Sequence, residues 1–205
     1  MGEIGLFPLG LVLVPGERVP LHIFEDRYKE LIGECLETGA EFGLVLADED
    51  GLRSIGTRAS VLLVLERFDD GRLNIVVEGG ERFRVLAMTE GRTFATAEVE
   101  PFSDLGEADQ PSEGERSECV AAYQRLMEAA RSEPEDLDLT AGNLGFQLAG
   151  RVEFGSTLKQ ELLETRSERE RVIRVNELLD GAIKLIELRR VARERAGGNG
   201  HVQEL

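Results

Sequence analysis

Tryptophan is absent from this 205-residue chain, and tyrosine, histidine and cysteine occur twice each. A core must therefore come from Leu, Val, Ile and Phe. The two cysteines, Cys35 and Cys119, have no CxxC partner and no neighbouring histidine, which argues against a disulfide framework and a zinc site. None of the three lysines, Lys29, Lys159 and Lys184, follows a glycine. There is no GxxxxGKS/T loop and no GxGxxG opening a helix, so nucleotide binding by those devices is excluded. No apolar run approaches the roughly 20 residues of a membrane span. The first residues lack the basic-then-apolar order of a signal peptide. The expectation is a soluble protein of the reducing cytoplasm.

What is present is aliphatic residue and negative charge. Apolar residues make up 41% of the chain, enough for a packed core. The formal charge is -16 and unevenly spread. Residues 1–100 hold 19 acids and 10 bases, 101–140 hold 11 and 3, and 141–205 hold 10 and 11. Such a surface repels phosphate backbones and argues against nucleic acid as a partner.

In "GLFPLGLVLVPGERVPLHIF", residues 5–24, the prolines Pro8, Pro15 and Pro20 rule out a helix. Leu11 to Val14 reads as a short buried strand, Pro15-Gly16 as a turn and Val19 to Phe24 as a second extended segment. "DRYKELIGECLET", 26–38, reads as a helix. Tyr28, Leu31, Ile32, Cys35 and Leu36 share one face, Asp26 is placed to cap it and Gly39 to end it. Cys35 reads as a small buried hydrophobe rather than a reactive thiol. Extended segments follow at 41–48, 58–68, 72–79 and 93–102. Asp70-Gly71 makes a hairpin turn, and Gly79-Gly80 a turn or bulge before Phe83, Val85 and Ala87 alternate. Short strands with tight turns indicate a mostly antiparallel, curled or barrel-like sheet.

After Phe102, residues 103–118 show no apolar periodicity and read as an exposed acidic linker. From about Cys119 the pattern is helical, with further helices in 140–152 and at 156–165, the latter capped by Ser156 or Thr157. Ser167 to Glu170 fits a capping box that opens the longest helix. In it Val172, Val175, Leu179, Ala182 and Ile186 form a heptad-like seam. The end of the chain, with His201, reads as a frayed tail. The expected class is α+β: a strand-rich domain over 1–102 with one inserted helix, a linker over 103–118, a helical bundle over 119–196 and a tail over 197–205.

Chemistry is sparse. Ser54, Ser60, Ser103 and Ser112 lack a GxSxG elbow and read as solvated or turn serines. His22, between Leu21 and Ile23 in a strand, reads as solvent-facing rather than as a base. Asp48, Glu49, Asp50 and Gly51 resemble a calcium loop but lack its ligand ladder, so they and Asp69-Asp70 read as acidic turns. The arginines of "GERFRV" (Arg82, Arg84) and "RSERERVIR" (Arg166, Arg169, Arg171, Arg174) could serve an anion or a partner. On so acidic a chain they read as paired with nearby glutamates, worth a few tenths of a kcal/mol each. No catalytic, cofactor-binding or metal-binding residue is nominated, and no cofactor is expected.

"LFPLGLVLVPGERVPLHIFEDRYKEL", 6–31, and "GLRSIGTRASVLLVLERFDDGRLNIVVEGGERFRV", 51–85, resemble the N-terminal domain of the ATP-dependent Lon protease family. The matching motifs are Pro8-Leu9, Pro15-Gly16 and Pro20-Leu21, then Ile55-Gly56-Thr57-Arg58-Ala59, then Asp70-Gly71 through Gly79, Arg82 and Val85. Gln160 to Arg171 resembles a helical motif of the same family. The resemblance implies a PUA-like curled sheet followed by a helical bundle, the part of the protease that helps capture unfolded or tagged substrates and supports ring assembly. The quoted motifs include none from the family's motor or Ser-Lys peptidase, so no catalytic residue is carried over. Too few Cys and His are present for a RING-bearing relative.

The function expected is a non-catalytic module that engages unfolded or exposed polypeptide segments as an adaptor or holdase. Its contact surface is either the groove between sheet and bundle or the "VPGERVPL" corner, 14–21, and the sequence leaves that choice open. The alternatives are a PUA-like nucleic-acid binder and a scaffold that pairs copies through the long C-terminal helix.

Overall fold

The computed structural model describes residues 2–106 and 109–198, with side chains of the last helix described through Arg193. His201 and the rest of the expected tail from residue 199 lie outside the described residues. The elements in order are β1 Gly2–Leu9, β2 Arg18–Ile23, α1 Asp26–Thr38, β3 Phe42–Asp48, β4 Gly51–Arg67, β5 Leu73–Thr89 and β6 Thr96–Pro101, then α2 Glu113–Ala130, α3 Leu144–Arg151, α4 Ser156–Glu164 and α5 Glu168–Gly198. The α+β class holds: a strand-rich half with one helix, then helices.

β5 closes the sheet. Its first half pairs with β2 and its second half with β6, while β4 runs along its other side. The strand order is β2-β5-β4-β3-β1-β6, and the β5–β6 pairing makes a barrel of β5, β4, β3, β1 and β6. Every pair is antiparallel except β1–β3. Pro20 sits inside β2, the edge strand of the sheet among the described residues, where a proline is tolerated.

Leu11 to Val14 is not a strand. The first strand lies earlier, at Gly2–Leu9, and Val12, Leu13 and Val14 are an irregular but buried plug. Val12 and Val14 enter the bundle core and Leu13 the core under α1. An apolar run signals burial whether or not the backbone is paired. Gly79-Gly80 is a bulge and not a turn: β5 runs through it, with one extra residue between the Thr57–Arg82 and Ala59–Gly79 pairs.

The helix ends differ in detail. α1 has Glu25 at its N-cap without a side-chain bond, and Gly39 ends it at φ 72° with its amide on Cys35 O. α2 starts at Glu113 rather than near Cys119, because Ser112 and Glu115 form a reciprocal capping box. α4 is preceded by Gly155, so neither Ser156 nor Thr157 caps it. At α5, Ser167 Oγ accepts the Glu170 amide at 3.1 Å.

Three apolar clusters hold the molecule. One lies inside the barrel around Leu6 and Phe83, and one lies between barrel and α1 around Ile32 and Phe42. The third joins the bundle to Val12, Val14, Leu46, Ile55 and Phe102 of the sheet half. Val172, Val175 and Leu179 are fully buried in it, with Ala182 and Ile186 packed at its margin, so the seam of α5 is intramolecular over this length. α2 and α5 run side by side in the same direction, with Arg169 on Glu115 at one end and Arg125 on Asp180 at the other.

Candidate functional site

The two surfaces left open by the sequence prove to be one. Pro15, Gly16, Glu17 and Arg18 of the corner face Phe146, Gln147, Gly150 and Arg151 of α3 across a groove of about 550 Å³. A second hollow of about 430 Å³ continues past Pro15 and Phe146 to Arg82 and Asp104.

The corner is held from both sides. Gly16 donates to Gly79 O at 2.8 Å, and Gly79 donates to Glu17 O at 2.9 Å. A Cβ on Gly79 would lie 2.3 Å from Val14 O, so only glycine fits there. Glu17 accepts the Val14 amide at 3.0 Å and Lys159 Nζ at 2.5 Å, with both side chains 10% exposed.

Behind the groove, two buried arginines tie sheet to bundle. Arg82 of β5 donates to Leu163 O at 2.6 Å and Thr165 O at 2.8 Å, the open carbonyls at the end of α4. It also donates to Asp104. Arg171 of α5 donates to both oxygens of Asp104, at 2.6 and 3.2 Å, to Thr165 O at 2.7 Å and to Glu168. Glu168 in turn accepts the Gly145 amide at 2.8 Å. The Phe146 ring lies under Arg171 at 3.6 Å and Arg82 at 5.0 Å. A Cβ on Gly145 would lie 2.8 Å from Arg171 Cγ, so glycine lets α3 come this close. Burial pushes the Arg82 guanidinium down and the Glu168 carboxyl up from their ordinary ranges.

This corrects the reading of these arginines as surface pairs with neighbouring glutamates. Arg84 and Arg174 do behave that way, on Glu100 at 3.3 Å and Glu161 at 2.8 Å. Arg169 reaches across to α2, and Arg166 donates to Ser103 O at 2.8 Å. Arg82 and Arg171 are structural staples, and the acidic linker supplies their shared counter-ion.

The remaining nominated residues are dispersed. His22 is exposed and bonds Asn74 Oδ1 at 2.6 Å. Ser112 caps α2, and Ser54, Ser60 and Ser103 meet no base among the described residues. Asp48 and Asp50 hold Arg53 at 2.8 and 3.1 Å, and Asp70 holds Arg72 at 2.7 Å. Burial pushes the Cys35 thiol up to about 11 and the Cys119 thiol up to about 12. Among the described residues, no three of His, Cys, Asp and Glu converge as metal ligands would. No described helix is long and apolar enough to cross a membrane.

The sequence reading missed an apolar ledge. Past Ala59, β4 pairs with β5 alone, so its other edge carries no strand among the described residues. Leu62 and Leu65 are extra residues at two bulges opposite β5. With Leu63 they stand 47–56% exposed. Phe24, beyond the end of β2, is 59% exposed. At each bulge the extra residue breaks strict alternation, so the period-two pattern does not set which way it faces. The run "VLLVL" was the available signal; which leucines face outward depends on register.

Asp104 thus bonds a curled barrel to a four-helix half. The model of the ATP-dependent protease La (LON) substrate-binding domain matches residues 3–181. The chain belongs to that family. Lon protease of Dictyoglomus thermophilum is 28% identical over 196 residues, which are 91% of this chain and 24% of that protein. Lon protease of Paraburkholderia phytofirmans is 28% identical over 204 residues, 91% of this chain and 25% of that protein. The chain thus spans about a quarter of the length of these relatives. The Lon N-terminal domain protein from Xanthomonas campestris superposes with a TM-score of 0.66 at 23% identity, over 85% of this chain and 97% of that one. The N-terminal domain of Mycobacterium avium complex Lon protease gives 0.64 at 18%, over 89% and 98%. These two likenesses establish a shared fold. Within this LON domain, the motifs around Pro15-Gly16 and Gly79 build the corner, and Arg82 and Arg171 build the junction.

Proposed function

We propose that this LON substrate-binding domain captures exposed apolar segments of other polypeptides, as an adaptor or holdase, and carries out no covalent chemistry. The observation that carries the reading is the ledge of Leu62, Leu63 and Leu65, three large apolar side chains left about half exposed within four residues of one strand on an acidic molecule. A patch of this kind on a folded surface marks a contact site. The two bulges spoil the β4 edge as a template for strand addition, so the contact runs through side chains. The groove at the corner is more polar and offers a second, separate surface. The cytoplasm, where unfolded chains are sorted, is the location this reading implies. On it, the strand-rich and helical units act as one body joined through Asp104.

The test is fluorescence anisotropy with a labelled, carboxymethylated model protein and its native form. The expected result is binding to the unfolded form alone, weakened at least tenfold by Leu63→Asp. Met88→Asp, an equally exposed apolar site elsewhere, leaves it unchanged. Equal, negligible binding of both forms, or an unaltered Leu63→Asp protein, overturns the reading.

A further inference from the structure

α5 outruns the bundle it belongs to. The helix has 31 residues, about 46 Å at 1.5 Å per residue, whereas its parallel neighbour α2 has 18. The Glu115–Arg169 and Arg125–Asp180 pairs fix the offset, which sets the last residue of α2, Ala130, level with Lys184 and Leu185. Beyond that level no helix among the described residues lies beside α5, and every residue from Glu187 to Arg193 is exposed.

This stretch is patterned all the same. Leu185, Leu188 and Ala192 are spaced three and four apart, the narrow stripe of a coiled-coil seam. Leu185 is 48% exposed and Leu188 68%. The buried seam of the same helix, Val172 through Ile186, continues on this lattice into Arg189 and Arg193, so the apolar stripe shifts to a new face where α2 stops. Lys184 and Arg189 flank the new stripe at the positions that govern helix pairing. Between residues 184 and 193 there are four bases and one acid, Glu187, in a chain of net charge -16.

We propose that the α5 extension docks a helix of another protein whose apolar seam is flanked by Glu or Asp. Charge selects this occupant. Two copies of the stripe laid together would set Lys184 and Arg189 against their own kind, which disfavours self-pairing. A stripe two residues wide is too narrow for the broad apolar face that seats a helix in a membrane. Nucleic acid is disfavoured because the rest of this acidic molecule repels a phosphate backbone.

The experiment uses the full chain and two synthetic helical peptides with the same leucine seam, one flanked by Glu and one by Lys, read by anisotropy. The Glu-flanked peptide binds at least tenfold more tightly than the Lys-flanked one, and raising salt narrows the gap. Leu188→Asp abolishes the binding. Circular dichroism verifies that this exposed substitution leaves the fold intact. The double variant Lys184→Glu/Arg189→Glu reverses the peptide preference. Equal affinity for both peptides, a doubled mass by light scattering without peptide, or binding of RNA or anionic vesicles in place of the peptide overturns the proposal.

Discussion

Arg82 and Arg171 close on one carboxylate, that of Asp104, from opposite halves of the molecule. Arg171 is fully buried and Arg82 nearly so, while Asp104 stays partly open to solvent. Their other donors end on the carbonyls of Leu162, Leu163 and Thr165, so the cluster also finishes α4. Asp104→Ala leaves Arg171 with Glu168 alone and Arg82 with no carboxylate partner among the described residues. Removing one partner of a buried pair costs about 3 kcal/mol or more. Urea unfolding should show a loss of that size for Asp104→Ala. Breaking the exposed Arg84–Glu100 pair by Glu100→Ala should cost less than about 1 kcal/mol. Similar midpoints for the two variants would mean that Asp104 is not the clasp.

Two glycines sharpen the packing account. At Gly79 a methyl group would meet the backbone oxygen of Val14 at 2.3 Å, and backbone cannot step aside cheaply. At Gly33, in the middle of α1, an added Cβ meets nothing within 4 Å. Gly79→Ala should therefore lower the melting temperature by several degrees, while Gly33→Ala should raise stability by about 0.5–1 kcal/mol through the helix preference of alanine. Thermal melts of the pair suffice. A neutral Gly79→Ala would show that the corner is not held against β5 as described.

Local chemistry was legible in the sequence, and long-range pairing was not. The apolar face of α1 and its stop at Gly39, the Asp70-Gly71 turn and the α5 seam each arise within a few residues, where turn and helix geometry act. Arg82 was misread because its partners lie at Asp104 and at the end of α4, and no spacing rule points there. The outward leucines of β4 depend on bulges that exist only once β4 has met β5. The Leu11–Val14 run was correctly apolar but paired with no strand, because hydrophobicity reports burial and not hydrogen bonding. For the site, the turn chemistry of Pro15-Gly16 is visible in the sequence, while the leucine ledge of β4 is not, because it depends on the register with β5.

Glu115 gives a prediction with a defined sign. Its carboxylate closes the capping box with Ser112 and binds Arg169 of α5 at 2.8 Å, and the Arg169 hydrogen bond is the chief reason its pKa falls from 4.5 to about 2. A carboxyl whose folded pKa is depressed adds stability above its unfolded pKa and loses it as pH falls through the folded one. Below about pH 2 both states hold the proton, and between there and 4.5 the unfolded chain takes it first. Glu115→Gln keeps the size and the cap but not the charge. The stability gap between the native protein and Glu115→Gln should thus be full above pH 4.5 and shrink steadily towards pH 2. Urea titrations at half-unit pH steps measure it. The group is exposed, so added salt should compress the gap at every pH. A gap that stays constant across this window would mean that the Glu115 charge adds nothing to the joint between α2 and α5.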